Sequence, residues 1–452
     1  MLPDQKQMDM EEKALFDEFS DIMCVEDKID RKVVSFQDSK TVPSYRWYRY
    51  KEAFSPSFVS SVIDKYMIGG DRILDPFAGI GTALFASADS GLEADGIEIL
   101  PLCQEIIRTR VLLQSGAVDL DRLRSLVASR AWKKTRTKVN VPYMAITKGA
   151  YPRETEEDIA RYLGLASEIG GNIGKALVFA LLCVAEDVSF TSKDGSCLRW
   201  DSRSGHTKLS KHQFLKTGIA DFDSAISEKI LEIVEDTKTT MWQNSEINLY
   251  AGSVFDIMPT MSSGYDGIIT SPPYCNRYDY TRTYALELAL LGIDDNRIKG
   301  LRQELLSSTV ESRPKDLLGK NPNWQTAITA TEKVRLLATI LEIMDSMRRS
   351  GGLNNRALPR MIRGYFSEMA CVIYECHRLL KSGARMVMVN DNVQYAGIGV
   401  PVDLILSKIA KTIGFDVEKI CVLATSKGNS AQQMATYGRN SIRKGYFVWR
   451  KK

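Results

Sequence analysis

The sequence predicts an α/β protein built on an open, doubly wound and mostly parallel sheet. Two apolar segments of strand length, 72–74 and 265–269, each run into a loop that contains glycine or proline. The first of these loops leads into 83–88, whose alanine-rich composition favours a helix. Strands that alternate with helices form parallel sheets, and ligands bind where such strands end.

The rest of the chain continues this alternation. We expect a second strand at 94–98 and a third within 248–256. The other predicted elements are helices at 57–67, 156–169, 173–188, 329–349, 364–380 and 401–413, and strands at 385–390, 415–423 and 445–449. Two stretches, 103–240 and 291–360, exceed what the sheet needs, so we interpret them as insertions.

The loop after the first strand reads DPFAGIGT and covers residues 75–82. Glycine lets the backbone approach a ligand closely and adopt positive φ. Gly79 and Gly81 form a GxG core, but the full patterns of phosphate loops and dinucleotide-binding loops are absent. The second strand ends at Glu98, and a carboxylate at that position suits a ribose diol. These features predict an adenosine-containing ligand that is not held by its phosphates.

The second loop reads TSPPY and covers residues 270–274. Its Ser271 hydroxyl and Pro272 carbonyl can accept the two protons of an exocyclic amine. Pro272 and Pro273 stiffen the loop and remove competing N–H donors. Tyr274 offers a flat face for a base rotated out of a helix. The loop is therefore interpreted as a pocket for a nucleobase amine.

Together the loops resemble the S-adenosylmethionine-dependent amino-methyltransferases of DNA, whose motifs commonly read DPFxGxGT and (S/T/D/N)PP(Y/F/W). The resemblance implies a Rossmann-like class I methyltransferase fold with a seven-stranded sheet. It assigns the glycine loop to the methionine part of S-adenosyl-L-methionine and Glu98 to the ribose. The cofactor residues so implied are Phe54, Asp75, Phe77, Ala78, Gly79, Gly81, Thr82 and Glu98, with Ser253 or Asp256 at the adenine. The catalytic residues are Ser271, Pro272, Pro273 and Tyr274.

The resemblance also bears on the substrate. The serine form of the tetrapeptide is typical of enzymes that methylate cytosine at N4, whereas adenine N6 enzymes more often carry Asp or Asn. The same loops would also suit an RNA amino-methyltransferase or a non-catalytic, methyltransferase-like subunit that reads DNA. Methylation at cytosine C5 would require a nucleophilic cysteine in a Pro-Cys dipeptide, which this chain lacks. The implied setting is a restriction-modification or defence system acting on double-stranded DNA, with a cognate endonuclease as a partner.

These assignments divide the chain into six segments. They are an N-terminal extension (1–40), the cofactor-binding half of a catalytic domain (41–102), a mostly helical candidate target-recognition insertion (103–240), the catalytic half with the amine loop (241–290), a second helical insertion and candidate DNA contact (291–360), and the remaining sheet (361–452). The cofactor loop precedes the amine loop, whereas many TSPPY enzymes have the reverse order. This difference affects subclass rather than chemistry.

A net charge of +4 does not by itself indicate nucleic-acid binding, so local clusters must carry that prediction. Basic residues concentrate at 130–138, 193–216 and 348–363. The candidate DNA contacts are Arg199, Trp200, Arg203 and Lys208 in the second cluster, and Arg277, Tyr278 and Arg282 beside the amine loop. No apolar run is long enough to span a membrane, and eight scattered cysteines with three histidines favour neither a disulfide framework nor a metal site. We expect a cytoplasmic protein.

Overall fold

The computed structural model describes residues 3–26, 34–67, 69–194, 197–205, 214–241, 246–423, 427–428 and 441–452. The elements of the N-terminal part are α1 (Pro3–Phe19), β1 (Met23–Glu26), α2 (Pro56–Tyr66), β2 (Arg72–Asp75), α3 (Thr82–Asp89) and β3 (Glu93–Glu98). The first insertion then contributes α4 (Pro101–Gln114), α5 (Leu120–Ala128), α6 (Ala131–Lys134), α7 (Arg153–Ile169), α8 (Gly171–Val184), β4 (Thr191–Asp194), β5 (Cys197–Trp200) and α9 (Phe222–Thr240).

The sheet resumes after this insertion. Its next elements are β6 (Ile247–Ala251), α10 (Val254–Ile257), β7 (Tyr265–Thr270), α11 (Tyr280–Thr283), α12 (Ala285–Leu290), α13 (Asp295–Glu304), α14 (Leu317–Lys320), α15 (Gln325–Glu332) and α16 (Arg335–Ser350). The last are α17 (Leu358–Leu379), β8 (Leu380–Asp391), β9 (Val393–Tyr395), β10 (Ile398–Val400), α18 (Val402–Ile413), β11 (Phe415–Leu423), β12 (Lys427–Gly428), β13 (Ser441–Ile442) and β14 (Lys444–Lys451).

In the described part of the chain, eight strands form one sheet in the order β1-β11-β14-β8-β7-β2-β3-β6. Only β14 runs against its neighbours, β11 and β8, so the sheet is mostly parallel. The predicted α/β fold class is confirmed. The sheet has one strand more than the seven expected, because β1 of the N-terminal extension pairs with the outer edge of β11.

Side chains of the central strands alternate between two buried layers, as a doubly wound sheet requires. Ile73 and Ile269 pack with α2 on one face. Leu74 and Ile268 pack on the other face, in the core that contains α17 and α18. Burying a side chain of this size stabilises the fold by about 1.5–3 kcal/mol. This two-sided burial fixes the strand ends, and therefore the loops that follow them.

The N-terminal extension, whose role could not be inferred from its composition, is part of this core. Phe19 is buried, and Glu18 forms ion pairs with Lys408 and Lys411 on α18. One predicted element was wrong. The single helix expected at 329–349 is split into α15 and α16, because Val334 adopts an extended conformation and buries its side chain in the core.

None of the helices in the described ranges is both long and apolar enough to cross a lipid bilayer.

Candidate functional site

The two sequence loops begin at neighbouring strand ends. Strands β2 and β7 are parallel, with Ile73 opposite Gly267, so their carboxyl ends lie at the same edge of the sheet. There the buried Thr270 hydroxyl donates a hydrogen bond to the Asp75 carboxylate across 2.6 Å. This bond joins the last residue of β2 to the last residue of β7. The glycine loop and the TSPPY loop are thus held together at their first residues.

The glycine loop owes its shape to two left-handed residues. Gly79 has φ +54° and Gly81 has φ +82°, values that favour glycine. A Cβ atom on Gly81 would lie 2.8 Å from Phe85 and 2.9 Å from Ile107. A side chain there would collide with the core, so Gly81 serves the packing of α3 against its neighbours. Gly79 instead lines the cavity described below.

Glu98, the last residue of β3, connects the glycine loop to that strand. Its carboxylate accepts hydrogen bonds from the backbone N–H of Gly79 at 2.7 Å and of Leu100 at 2.6 Å. Burial raises the pKa of Glu98 to about 7, and burial likewise raises the pKa of Asp75 to about 7. Both carboxyl groups therefore change charge near neutral pH. Perturbed acids that meet in a cavity are typical of a functional site.

Both loops line one cavity of about 380 Å³. Most of the predicted site residues meet there, although they come from four strand ends and the segment before α2. The predicted residues that line it are Phe54, Asp75, Phe77, Ala78, Gly79, Thr82, Glu98, Ser253, Ser271, Pro272, Pro273, Tyr274 and Tyr278. A single cavity therefore joins the proposed cofactor and amine pockets.

Among the described residues, the predicted site residues that do not line the cavity are Gly81, Arg199, Trp200, Arg203, Asp256, Arg277 and Arg282. Asp256 is 59% exposed and forms an ion pair with Lys320, whereas Ser253 is buried and caps α10 by accepting from the Phe255 N–H. Of the two residues considered for the adenine, only Ser253 is in place to contact a ligand in the cavity.

Several cavity residues escaped prediction from sequence. Tyr50 and Glu52 belong to the aromatic segment before α2, and its composition was the available signal. Tyr280 follows the amine loop, and its ring meets that of Tyr278 edge to face at 4.9 Å between centroids. Further examples are Asn276, Glu304, Leu305, Leu306, Asp391 and Lys444. They come from separate elements, and no short motif unites them.

The basic cluster at 193–216 uses much of its charge internally. Lys193 is buried and donates to Glu287. Two nitrogens of the Arg203 guanidinium group donate to the two carboxylate oxygens of Asp201. Arg199 lies 4.3 Å from the ring centroid of Phe214. Trp200 ends β5, and Lys208 lies outside the described residues. Among the described residues of this cluster, Lys193 and Arg203 are therefore engaged with carboxylates of the protein itself.

The other two clusters differ from each other. In the cluster at 130–138, Trp132 is buried and donates to Asp223, and Lys133 pairs with Asp158 and Asp223. In the cluster at 348–363, Arg356 and Arg360 are exposed, and Arg360 donates to the Val310 carbonyl. Arg282 pairs with the neighbouring Glu311. Val310 and Glu311 belong to the loop that follows the cavity residues Leu305 and Leu306, so we call Arg282 and Arg360 the basic rim.

Comparison with known proteins agrees with this geometry. The type II methyltransferase M.AvaI of Nostoc sp. is 49% identical over 451 residues, which cover 97% of this chain and 93% of the relative. The enzyme of the same name from Anabaena variabilis gives the same values. The type II methyltransferase M.BsoBI of Geobacillus stearothermophilus is 35% identical over 453 residues, covering 93% of this chain and 88% of the relative. No family model matches the chain.

The sheet order, the glycine loop and the shared cavity define a class I methyltransferase. Identity of this level over nearly the full length shows the family. The chain belongs to the type II DNA methyltransferases of restriction-modification systems.

Proposed function

We propose that this enzyme transfers a methyl group from S-adenosylmethionine to the exocyclic N4 amine of a cytosine in duplex DNA. The observation that carries the proposal is the single cavity lined by both the glycine loop and Ser271, Pro272, Pro273 and Tyr274. A methyl donor and an amine must lie in contact for direct transfer. One continuous cavity provides for that contact.

The residues of the cavity fit the cofactor. Among the described residues, and apart from its chain neighbours, only Tyr50 lies within 4 Å of the place where a Cβ of Gly79 would stand, so a ligand can approach this backbone closely. Glu98 suits the ribose hydroxyls, and Ser253 is the polar group near the end of β6 for the adenine. Phe77, Ile97 and Leu100 add apolar surface. S-adenosylmethionine, when bound, supplies an electrophilic methyl group.

The TSPPY loop acts on the amine rather than on the donor. The amine of cytosine is a weak nucleophile because its lone pair is delocalised into the ring. The Ser271 hydroxyl and the Pro272 carbonyl accept its two N–H bonds and so orient the lone pair. Tyr274 stacks on the base, which helps to offset the cost of about a few kcal/mol for taking it out of the helix. The methylated nitrogen then releases its surplus proton to water.

The assignment to cytosine is supported by Ser271, since the resemblance associates this serine with N4 enzymes. The assignment to duplex DNA is supported by the family and by the basic rim. Its two exposed guanidinium groups contact the loop that continues from Leu305 and Leu306, and we assign to them the phosphates beside an extruded base. Lys193 is not assigned this role because it is buried, and Arg203 is not because two hydrogen bonds to the buried Asp201 hold its guanidinium group.

The test is to express the chain in a bacterial host that lacks DNA methylation, digest the genomic DNA to nucleosides and quantify methylated bases by mass spectrometry. We expect N4-methylcytosine, and we expect Ser271→Ala to reduce it by at least about a hundredfold, as for other groups that position reactants. Ser125→Ala, an exposed serine on α5, is the matched control. N6-methyladenine in place of N4-methylcytosine would refute the base assignment, and the absence of both would refute the proposal.

A further inference from the structure

Lys444 lies in the cavity, although no sequence motif marks it. It is the first residue of β14 and pairs in register with Asp391, the last residue of β8. Both side chains line the cavity and are largely buried, with 14% of Lys444 and 20% of Asp391 exposed. The Lys444 ammonium lies 5.8 Å from the centroid of the Tyr274 ring. Strand pairing thus brings a cation to the proposed stacking surface for the base.

The ammonium has hydrogen-bonding capacity that the neighbouring protein does not use. Its nitrogen is 3.7 Å from a carboxylate oxygen of Asp391, which is an ion pair but longer than a hydrogen bond. Across the described ranges, no hydrogen bond from this ammonium to another protein group is found. An ammonium has three donors, and donors in a largely buried site are nearly always satisfied by protein, water or a ligand. The position therefore suits an acceptor supplied by the substrate.

We propose that Lys444 is a positioning and specificity residue that donates to the N3 and O2 edge of the target cytosine. This inference rests on the function proposed above. In this proposal Ser271 and Pro272 hold the amine, and the ring stacks on Tyr274. The edge of the base next to the amine then lies beside the same tyrosine. In cytosine that edge carries two adjacent acceptors, N3 and O2.

The other bases fit this donor less well. Adenine presents one acceptor, N1, next to its amine and then a C–H group. Thymine and guanine present an N–H donor at the corresponding ring position, which would face the ammonium with like polarity. Asp391 pairs with the Lys444 ammonium and holds it beside Tyr274. The ammonium thus selects among bases by electrostatics, while the TSPPY loop selects only for an amine.

A lysine that merely joins β14 to β8 would have the same geometry, so the test must separate the two roles. We would compare Lys444→Met, which keeps the length of the chain and removes the charge, with Lys444→Arg and with the matched control Lys148→Met at an exposed position. The substrates are duplexes containing the recognition site, located first by sequencing methylated genomic DNA. At the target position they carry cytosine, 3-deazacytosine or an abasic sugar.

We expect Lys444→Met to lower kcat/KM on the cytosine duplex by about 10-fold to 100-fold, the range for losing a hydrogen bond to a charged group. Its affinity for the abasic duplex, measured with S-adenosylhomocysteine present, should match that of the wild type. The wild type should lose activity on 3-deazacytosine, which has C–H in place of N3, whereas Lys444→Met should lose little more. Lys444→Arg should retain more activity than Lys444→Met.

Three results would overturn the inference. They are activity of Lys444→Met equal to that of Lys148→Met, an equal loss of affinity for the abasic duplex, and an equal 3-deazacytosine penalty in both proteins. If Lys444→Met fails to fold, the comparison of cytosine with 3-deazacytosine in the wild type still decides, and equal rates would overturn the inference. Wild-type protein that produces N4-methylcytosine while Lys444→Met behaves as the control refutes Lys444 alone. Wild-type protein that produces no N4-methylcytosine refutes the proposed function as well.

Discussion

The raised pKa of Glu98 predicts that cofactor affinity depends on pH near neutrality. Burial disfavours the charged carboxylate and raises its pKa to about 7 in the free protein. Ribose hydroxyls are hydrogen-bond donors, so they bind the ionised form better than the acid. Ligand binding therefore favours deprotonation of Glu98. Affinity should be full above the pKa and should fall as the pH drops through about 7.

The size of this effect follows from the titration of one group. With a pKa of about 7, about nine in ten Glu98 side chains are ionised at pH 8 and about one in ten at pH 6. If only the ionised form binds well, affinity falls by about tenfold between these pH values, which corresponds to about 1.4 kcal/mol. An unburied glutamate would be ionised at both pH values and would show no change.

Isothermal titration calorimetry with S-adenosylhomocysteine between pH 5.5 and 8.5 measures this dependence. Glu98→Gln is the informative control because it keeps the shape of the side chain and cannot ionise. Asp75 also has a raised pKa and lines the cavity, so the difference between the wild-type and Glu98→Gln profiles is the quantity that reports Glu98. Parallel profiles for the two proteins would show that Glu98 does not bind the ribose as an anion.

Three further outcomes follow from the geometry. Thr270→Val removes the donor that reaches the buried Asp75 and should lower the free energy of unfolding by about 1–3 kcal/mol. We expect a lower melting temperature that Thr270→Ser restores, and an unchanged melting temperature would contradict this. Arg360→Ala should weaken DNA binding and reduce the slope of log Kd against log salt by about 1, whereas Arg203→Ala should leave the slope unchanged. The opposite pattern would assign the phosphate contacts to the cluster at 193–216. Asp256→Asn should leave cofactor affinity unchanged, because Asp256 lies outside the cavity and pairs with Lys320. A clear loss of affinity in calorimetry would show that Asp256 contributes to cofactor binding.

The core of the fold and the two loops that meet in the cavity were predictable because local patterns specify them. A strand followed by a glycine loop or by TSPPY can be placed at the ligand-binding edge of the sheet from the sequence alone. Cavity residues such as Asp75 and Ser271 belong to these two motifs. Lys444 and Asp391 were not predictable, because they meet only through the pairing of β14 with β8. The eighth strand was missed for the same reason. Met23–Glu26 has no distinctive pattern, and its role depends on the exposed edge of β11.

The basic stretch at 193–216 contains one lysine that the structure buries, which a count of charges in the sequence does not reveal. Lys193 projects from the β4–β5 hairpin of the first insertion into the protein, where its ammonium bonds to the buried Glu287 and lies 4.9 Å from the ring centroid of Tyr284. Tyr284 stacks on Tyr50 at 5.0 Å between centroids and donates to Glu52.

Tyr50 and Glu52 line the cavity, so this chain of contacts anchors the hairpin to the cavity wall. Removing one partner of a buried ion pair costs about 3–5 kcal/mol, a scale that suits a structural anchor. A phosphate contact requires an exposed cation, and Lys193 is buried. The hairpin therefore supports the aromatic wall beside the amine loop, and we propose that the exposed guanidinium groups of the basic rim meet the phosphate backbone.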